Sequence, residues 1–256
     1  MVNMRSIVRH AYLSFSGPFK TIANGVHILN SHYISRRDVS GEVFHELLKK
    51  LNKEADFIKI QDGIDLIERK ETIQGKLIAF TFDDGFEECY CKISPVLKDF
   101  NINAAYFINP GFIDGDAAYQ ADFVSNVVHA NGKKPMTWEM IKELHDDGFV
   151  IGNHTFDHVR LVGSNPATLE HQISNSKKRI EEITGDTCSY FAWTYGRLQD
   201  IDSAALKLAI DEHQHVFSSD NYHKYYSNSG TVLNRRHAEG DWPASHIKFF
   251  LSKKYY

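Results

Sequence analysis

Apolar and polar positions along this chain follow two periods, and the two periods take turns. After Ser40, a candidate N-cap, Val43, Phe44, Leu47, Leu48 and Leu51 recur at the spacing of one helical face. Short apolar runs at Phe57–Ile60, Lys76–Phe82, Ala104–Ile108, Phe149–Gly152, Ser189–Trp193 and His215–Ser218 read as strands, and Thr231–His237 as a further one. Between them the spacing predicts helices over Ile64–Glu68, Phe86–Phe100, Thr137 to Gly148, Asn165 to Ile183 and Asp202–Glu212. Thr137 and the pair Asn165-Pro166 supply start signals, Gly148 and Gly185 supply stops, and Ser245–Leu251 forms a last helix.

Such regular alternation implies parallel strands joined by crossover helices. The expected fold is α/β, a distorted or incomplete (β/α) barrel of about seven parallel strands, with an open doubly wound sheet as the competing architecture. Asn109 to Met136 exceeds an ordinary connection between strand and helix, and reads as a wall or lid on the catalytic face or as a surface insertion. No repeat or linker interrupts the pattern, so residues 1–256 read as one domain.

Composition mainly excludes. A formal charge of −4, spread without blocks, argues against nucleic acid or a polybasic membrane contact. No glycine-rich phosphate loop follows any strand, so nucleotide binding has no support. Cys89, Cys91 and Cys188 are odd in number and lack C-x-x-C spacing, which favours free thiols in a reducing compartment. Met1 to Lys20 contains no continuous apolar region, and no stretch is long enough for a transmembrane span. The expected location is therefore the cytoplasm.

Asp83 and Asp84 stand together at the end of the apolar run Lys76–Phe82, closed by Gly85. Two acids at the mouth of a buried strand are costly unless something positive faces them. His154 and His158 follow the next apolar run but one, four residues apart, so that on one helical turn their rings would face the same way. Taken singly, Asp-Gly is a common turn, and 14 histidines yield roughly one such pair by chance. In a barrel, however, the carboxyl ends of the strands share one mouth. Two imidazoles and one carboxylate leave positions open on a catalytic metal, and the second aspartate is free to accept a proton.

Thr81-Phe82-Asp83-Asp84-Gly85 and His154-Thr155-Phe156-Asp157-His158 resemble the first two motifs of the NodB-homology polysaccharide deacetylases, carbohydrate esterase family 4. The likeness extends over about Tyr33 to Arg236. It implies a distorted barrel, a divalent metal on Asp84, His154 and His158, and Asp83 as the base that activates water. It also implies that the backbone N–H of Tyr195 faces the oxyanion. The third motif departs from the family pattern: Ala192-Trp193-Thr194-Tyr195-Gly196 lacks the usual arginine. Arg235 or Arg236 takes that role by resemblance. In a strand the two point to opposite faces, and Arg235 is favoured.

The family's late Leu-x-His motif, source of the proton donor, is absent. His237 and His246 replace it by position. Trp193, Tyr195 and Tyr222 offer faces for sugar stacking. His32 also has suitable chemistry, and Asp157 reads as a loop residue rather than a ligand. The expected activity is metal-dependent removal of N-acetyl groups from an amino sugar in a polysaccharide or its precursor. The metal is Zn2+ by availability, with Co2+, Ni2+ or Mn2+ equally suited to the donors. The alternatives are an amidohydrolase on a small non-sugar C–N bond and a catalytically weak carbohydrate-binding domain. Oligomeric state is left open.

Overall fold

Along strand β3 (Lys76–Phe82), Ile78, Phe80 and Phe82 pack into one apolar cluster and Ala79 into another. The period of two in an extended chain sends alternate residues to opposite faces, and here both faces are covered. The same division runs through the neighbouring strand Ala104–Ile108, where Ala104, Tyr106 and Ile108 face the helices and Ala105 and Phe107 face inward. Each large apolar side chain so buried stabilises the fold by roughly 1.5–3 kcal/mol.

The computed structural model describes residues 11–70 and 72–254. Besides β3, its strands are β1 (Gly25–Ser31), β2 (Asp56–Phe57), β4 (Ala104–Ile108), β5 (Val150–Asn153), β6 (Tyr190–Ala192), β7 (His215–Ser218), β8 (Tyr226–Ser227), β9 (Val232–Asn234) and β10 (Arg236–His237). They form one sheet in the order β10-β1-β3-β4-β5-β6-β7-β9-β8, with β2 beside β3 off that path. Only β8 with β9 pairs antiparallel. The seven strands β1, β3, β4, β5, β6, β7 and β9 make the expected parallel run. It curls into a half-barrel with helices outside, and residues 232–237 bridge its open side by pairing with β7 through β9 and with β1 through β10.

Several boundaries differ from the sequence expectation. The spacing did not predict β1, although all seven of its residues are buried. Thr231–His237 is two short strands broken at Arg235, because the segment changes partner there. Phe57–Ile60 is a strand only at Phe57, since Ile60 already opens the helix Ile60–Glu68 and donates its N–H to Asn103 Oδ1 (3.1 Å). The helix expected over Phe86–Phe100 contains a wide π turn, Cys89–Ile93, before its regular part, Ser94–Asp99. Pro95 lies within that run and has no N–H to donate, which favours local rearrangement of the ladder.

Of the caps read from sequence, Thr137, Asn165 and Gly185 hold, whereas Ser40 stands at the N-cap position without a side-chain cap bond. Thr137 accepts from Met140 N–H, Asn165 accepts from Thr168 N–H, and Gly185 ends its helix at φ 75°. In the helix Gly41–Leu51, Phe44, Leu47, Leu48 and Leu51 are buried, whereas Val43 is exposed. Among the described residues no helix is long and apolar enough to cross a membrane.

Candidate active site

The carboxyl ends of β1, β3, β5, β6 and β9 open onto one mouth. Asp83 extends β3 by one residue, donating its N–H to Ser31 O (2.8 Å). It therefore continues the inward series of Ala79 and Thr81. There Arg235 grips it: Nη1 donates to Oδ1 (2.6 Å) and Nη2 to Oδ2 (3.0 Å), while Asn30 Nδ2 donates to Oδ2 (3.4 Å). Arg235 is wholly buried, and its guanidinium lies 4.9 Å from the Phe107 ring centre and 5.9 Å from that of Phe217. A planar fork suits this bidentate grip, and the aromatic faces cover it. Burial opposes ionisation of Asp83, but the Arg235 charge and the Arg235 hydrogen bonds hold its carboxyl below the usual range.

Asp84 turns away from its neighbour because its backbone is left-handed (φ 74°), followed by Gly85 at φ 75°. A Cβ on Gly85 would lie 3.1 Å from Ile108 Cγ2, so both the angle and the space call for glycine. The turn sends the Asp84 carboxylate toward the loop after β5, with Oδ1 3.5 Å from His154 Nε2 and 3.3 Å from His158 Nε2. The two imidazoles meet through a loop, not through the helical turn that their spacing suggested. Thr155 and His158 are both left-handed (φ 66° and 57°), and the ring centres lie 5.3 Å apart. Asn109 Nδ2 donates to the carbonyls of His154 and Thr155, and Asn153 Oδ1 accepts from Thr155 N–H (2.9 Å). Such backbone strain persists only where surrounding bonds over-determine it.

His154 Nδ1 lies 2.6 Å from Ala192 O, which assigns the proton to Nδ1 and the lone pair to Nε2, facing Asp84. Burial, partly offset by Asp83, lowers its pKa to about 4 and leaves the ring neutral. Asp84 Oδ1 is buried without a hydrogen-bond partner. Burial works against its charge as well, yet His158 and the neighbouring rings hold its carboxyl well below the usual range. Tetrahedral ligands about 2.0–2.1 Å from a zinc ion stand about 3.3–3.4 Å apart. The donor set and its spacing thus fit a divalent cation, which would satisfy the orphaned oxygen.

Other candidates fall in different places. Trp193, expected to stack on substrate, is fully buried outside the barrel with Leu161 and Ile201, and its Nε1 donates to Arg197 O (2.9 Å). Phe191 shares that outward cluster while Ala192 faces in, so strand parity removes Trp193 from the mouth. Tyr195 is at the rim, 45% exposed and left-handed (φ 64°), with its ring centre 5.1 Å from His158 and 4.1 Å from Arg160 Cζ. Arg236 leaves the site and lies over Phe250 and Tyr222, which takes Tyr222 with it. His246 is paired with Ser14 Oγ (3.0 Å) on the helix Ala244–Leu251 and does not reach the mouth. Asp157 accepts from Tyr119 Oη (2.8 Å) and Gln172 Nε2 (2.7 Å), which pins the histidine loop. Within residues 109–136, Phe123 stacks on Phe112 (4.1 Å) and sets its ring against His158 (5.9 Å), so this segment is a wall.

The two histidines at this edge of the mouth, His32 and His237, differ in charge. Burial lowers the His237 pKa to about 4, so this ring is neutral near pH 7. His32 directly follows β1 in the same inward series as Asn30. Its Nδ1 is 3.2 Å from Glu239 Oε1, and Glu239 Oε2 accepts from Ser31 Oγ (2.6 Å). Burial alone would lower the His32 pKa, but the Glu239 hydrogen bond and the charges of Asp84, Glu239 and Asp83 raise it to about 9. The signal lay in Val26, Ile28 and Leu29, an apolar run interrupted by His27 and ended by Asn30.

Comparison with known proteins settles the lineage. The family model for polysaccharide deacetylases matches residues 70–211, more than half of the chain. The chain belongs to the polysaccharide deacetylase family. Among relatives, the peptidoglycan-N-acetylmuramic acid deacetylase PdaA of Bacillus subtilis is 25% identical over 111 residues, covering 43% of this chain and 34% of PdaA. A poly-beta-1,6-N-acetyl-D-glucosamine N-deacetylase of Staphylococcus aureus is 23% identical over 181 residues, 70% of this chain and 61% of that one. The chain thus spans less than two thirds of the length of either relative. The structure of IcaB from Ammonifex degensii shares the fold, with a TM-score of 0.69 at 21% identity over 91% of this chain and 99% of that one. In this member of the family the guanidinium on the Asp83 carboxylate comes from Arg235, at the sheet's bridging segment, and the third motif carries Ala192.

Proposed function

We propose that the protein is a metal-dependent N-deacetylase acting on an amino sugar in a polysaccharide or its precursor. One observation carries this reading: a buried, partnerless Asp84 oxygen faces two imidazoles, beside a second carboxylate that is fully held by arginine. Asp84, His154 and His158 would hold the cation. When bound, it supplies Lewis acidity toward an acyl carbonyl and makes an adjacent water more acidic.

Asp83 takes a proton from that water as it attacks the acetyl carbon. Its oxygens keep lone pairs beyond those used by Arg235, and the guanidinium keeps it ionised until the proton arrives. The Tyr195 N–H donates to the carbonyl oxygen as negative charge develops there. His32 then gives its proton to the departing amine, so the C–N bond breaks to acetate and a free amino sugar. Part of the His32 pKa rise comes from the Asp84 charge. At the rim, the Tyr195 ring offers a face to a pyranose.

Acetate release from N-acetylglucosamine oligomers, compared with turnover of small cyclic amides and ureides by the zinc-loaded protein, tests the proposal. Acetate from the oligomers supports it. Turnover of the small amides alone makes the protein a small-molecule amidohydrolase, and oligomer binding without any turnover makes it a carbohydrate-binding domain.

A further inference from the structure

A second set of ligand atoms stands at the edge of the mouth where β10 meets β1. His32 follows β1, His237 ends β10, and the two strands pair in parallel with Asn30 opposite His237. Ala238 N–H donates to Asn30 O (2.9 Å), which fixes the turn leading to Glu239. Ser31 Oγ holds Glu239 Oε2 at 2.6 Å and leaves Oε1 facing both imidazoles. His32 Nδ1 is 3.2 Å and His237 Nε2 3.3 Å from that oxygen, and all three ligand atoms lie within 4.8 Å of one another.

The spacing repeats that of the Asp84 group and again matches the edge of a tetrahedron around zinc, about 3.3–3.4 Å. The His32 contact is a hydrogen bond. An ion pair of Glu239 with His32 explains that contact, but it does not explain why a second imidazole nitrogen is aimed at the same oxygen. Trp242 lies edge-on to the His237 ring at 5.5 Å and fixes its plane. All three side chains are partly exposed, so solvent can complete the coordination of an ion held there. Two imidazoles and a carboxylate on strand ends suit Zn2+, Co2+ or Ni2+ better than Mg2+ or Ca2+, which prefer oxygen.

We infer that His32, His237 and Glu239 form a second divalent-cation site, whose ion displaces the His32 Nδ1 proton to solvent, and that filling it switches the enzyme off by leaving that ring without a proton to donate. The binding half of this inference stands on the cluster alone. The inhibitory half rests on the proposed function, through His32.

Zinc content per chain, measured by equilibrium dialysis of the full chain against Zn2+ alone, separates the two halves. Wild type is expected to bind two ions, His237→Ala one, Asp84→Asn one, and the double variant none. A single ion in wild type, or two in His237→Ala, overturns the site. If His237→Ala does not fold, Glu239→Gln replaces it in the binding assay. With N-acetylglucosamine oligomers, wild-type activity should rise as the first ion binds and fall by roughly 100-fold as the second does. His237→Ala should show the rise with the first ion and no fall at higher zinc. Two bound ions with no fall in wild-type activity overturn the inhibitory role. Two bound ions in a protein that never releases acetate leave the site standing and refute the proposed function instead.

Discussion

Arg235 closes on both carboxylate oxygens of Asp83, at 2.6 and 3.0 Å, across 152 positions of sequence. The two residues act as one unit. Without Asp83 the guanidinium would be a buried, unpaired charge, and without Arg235 the carboxylate would be neutral at higher pH. Removing one partner of such a pair typically costs about 3–5 kcal/mol of stability.

Arg235→Lys should therefore be the informative variant, because it keeps the charge but cannot bind both oxygens. Arg235 depresses the Asp83 pKa, so weakening the grip raises it. The acidic limb of the pH profile of kcat/KM should move to higher pH, with kcat reduced more than KM is raised. An unmoved limb would mean that Asp83 is not the titrating base.

Asp83→Asn should lower kcat by about 10²–10⁴-fold while metal content is unchanged, since Asp83 does not touch the ligand set. Asp84→Asn or His154→Ala should lose the metal of that site as well as activity. Metal analysis of the purified variants beside initial rates distinguishes the two classes.

His32→Gln should discriminate between leaving groups. An amine needs a proton to depart, whereas an activated phenolate does not. The variant should lose roughly 100-fold on N-acetylglucosamine oligomers and far less on a nitrophenyl acetate. Equal losses on both would assign His32 to structure alone.

Stability should fall in acid through two buried histidines outside the ligand set, His27 and His213. His27 and His213 are buried against the carbonyls of Ala23 and Ala209. Burial lowers both pKa values to about 4 from 6.5. Between pH 6.5 and 4 the unfolded chain binds these protons and the folded chain does not, so stability declines as pH falls through that window, by up to about 3 kcal/mol for each ring. Urea midpoints at pH 7 and pH 5 measure the loss, and His213→Gln should reduce it.

The two motifs were legible because each concentrates its chemistry in five consecutive residues at the end of an apolar run. The alternation of strands and helices was legible for the same reason, local periodicity. Trp193 was misread because an aromatic at a strand end has no face until the parity of Phe191 and Ala192 is known. His32 was named without a position because polar His27 and Asn30 hide β1, a strand that the spacing did not predict. Arg235 and Arg236 were told apart only in part. Opposite faces follow from strand geometry, but which face meets Asp83 depends on the sheet's partners.

The sequence by itself determined most of the elements, their alternation and the two clusters of candidate ligands, since these depend on neighbours a few residues away. Only the tertiary structure decided that the bridging segment 232–237 brings Arg235 to Asp83, that His32 faces the mouth, and that Trp193 does not. Those outcomes depend on how a curled sheet meets its own far edge, where one residue of register reverses every side chain.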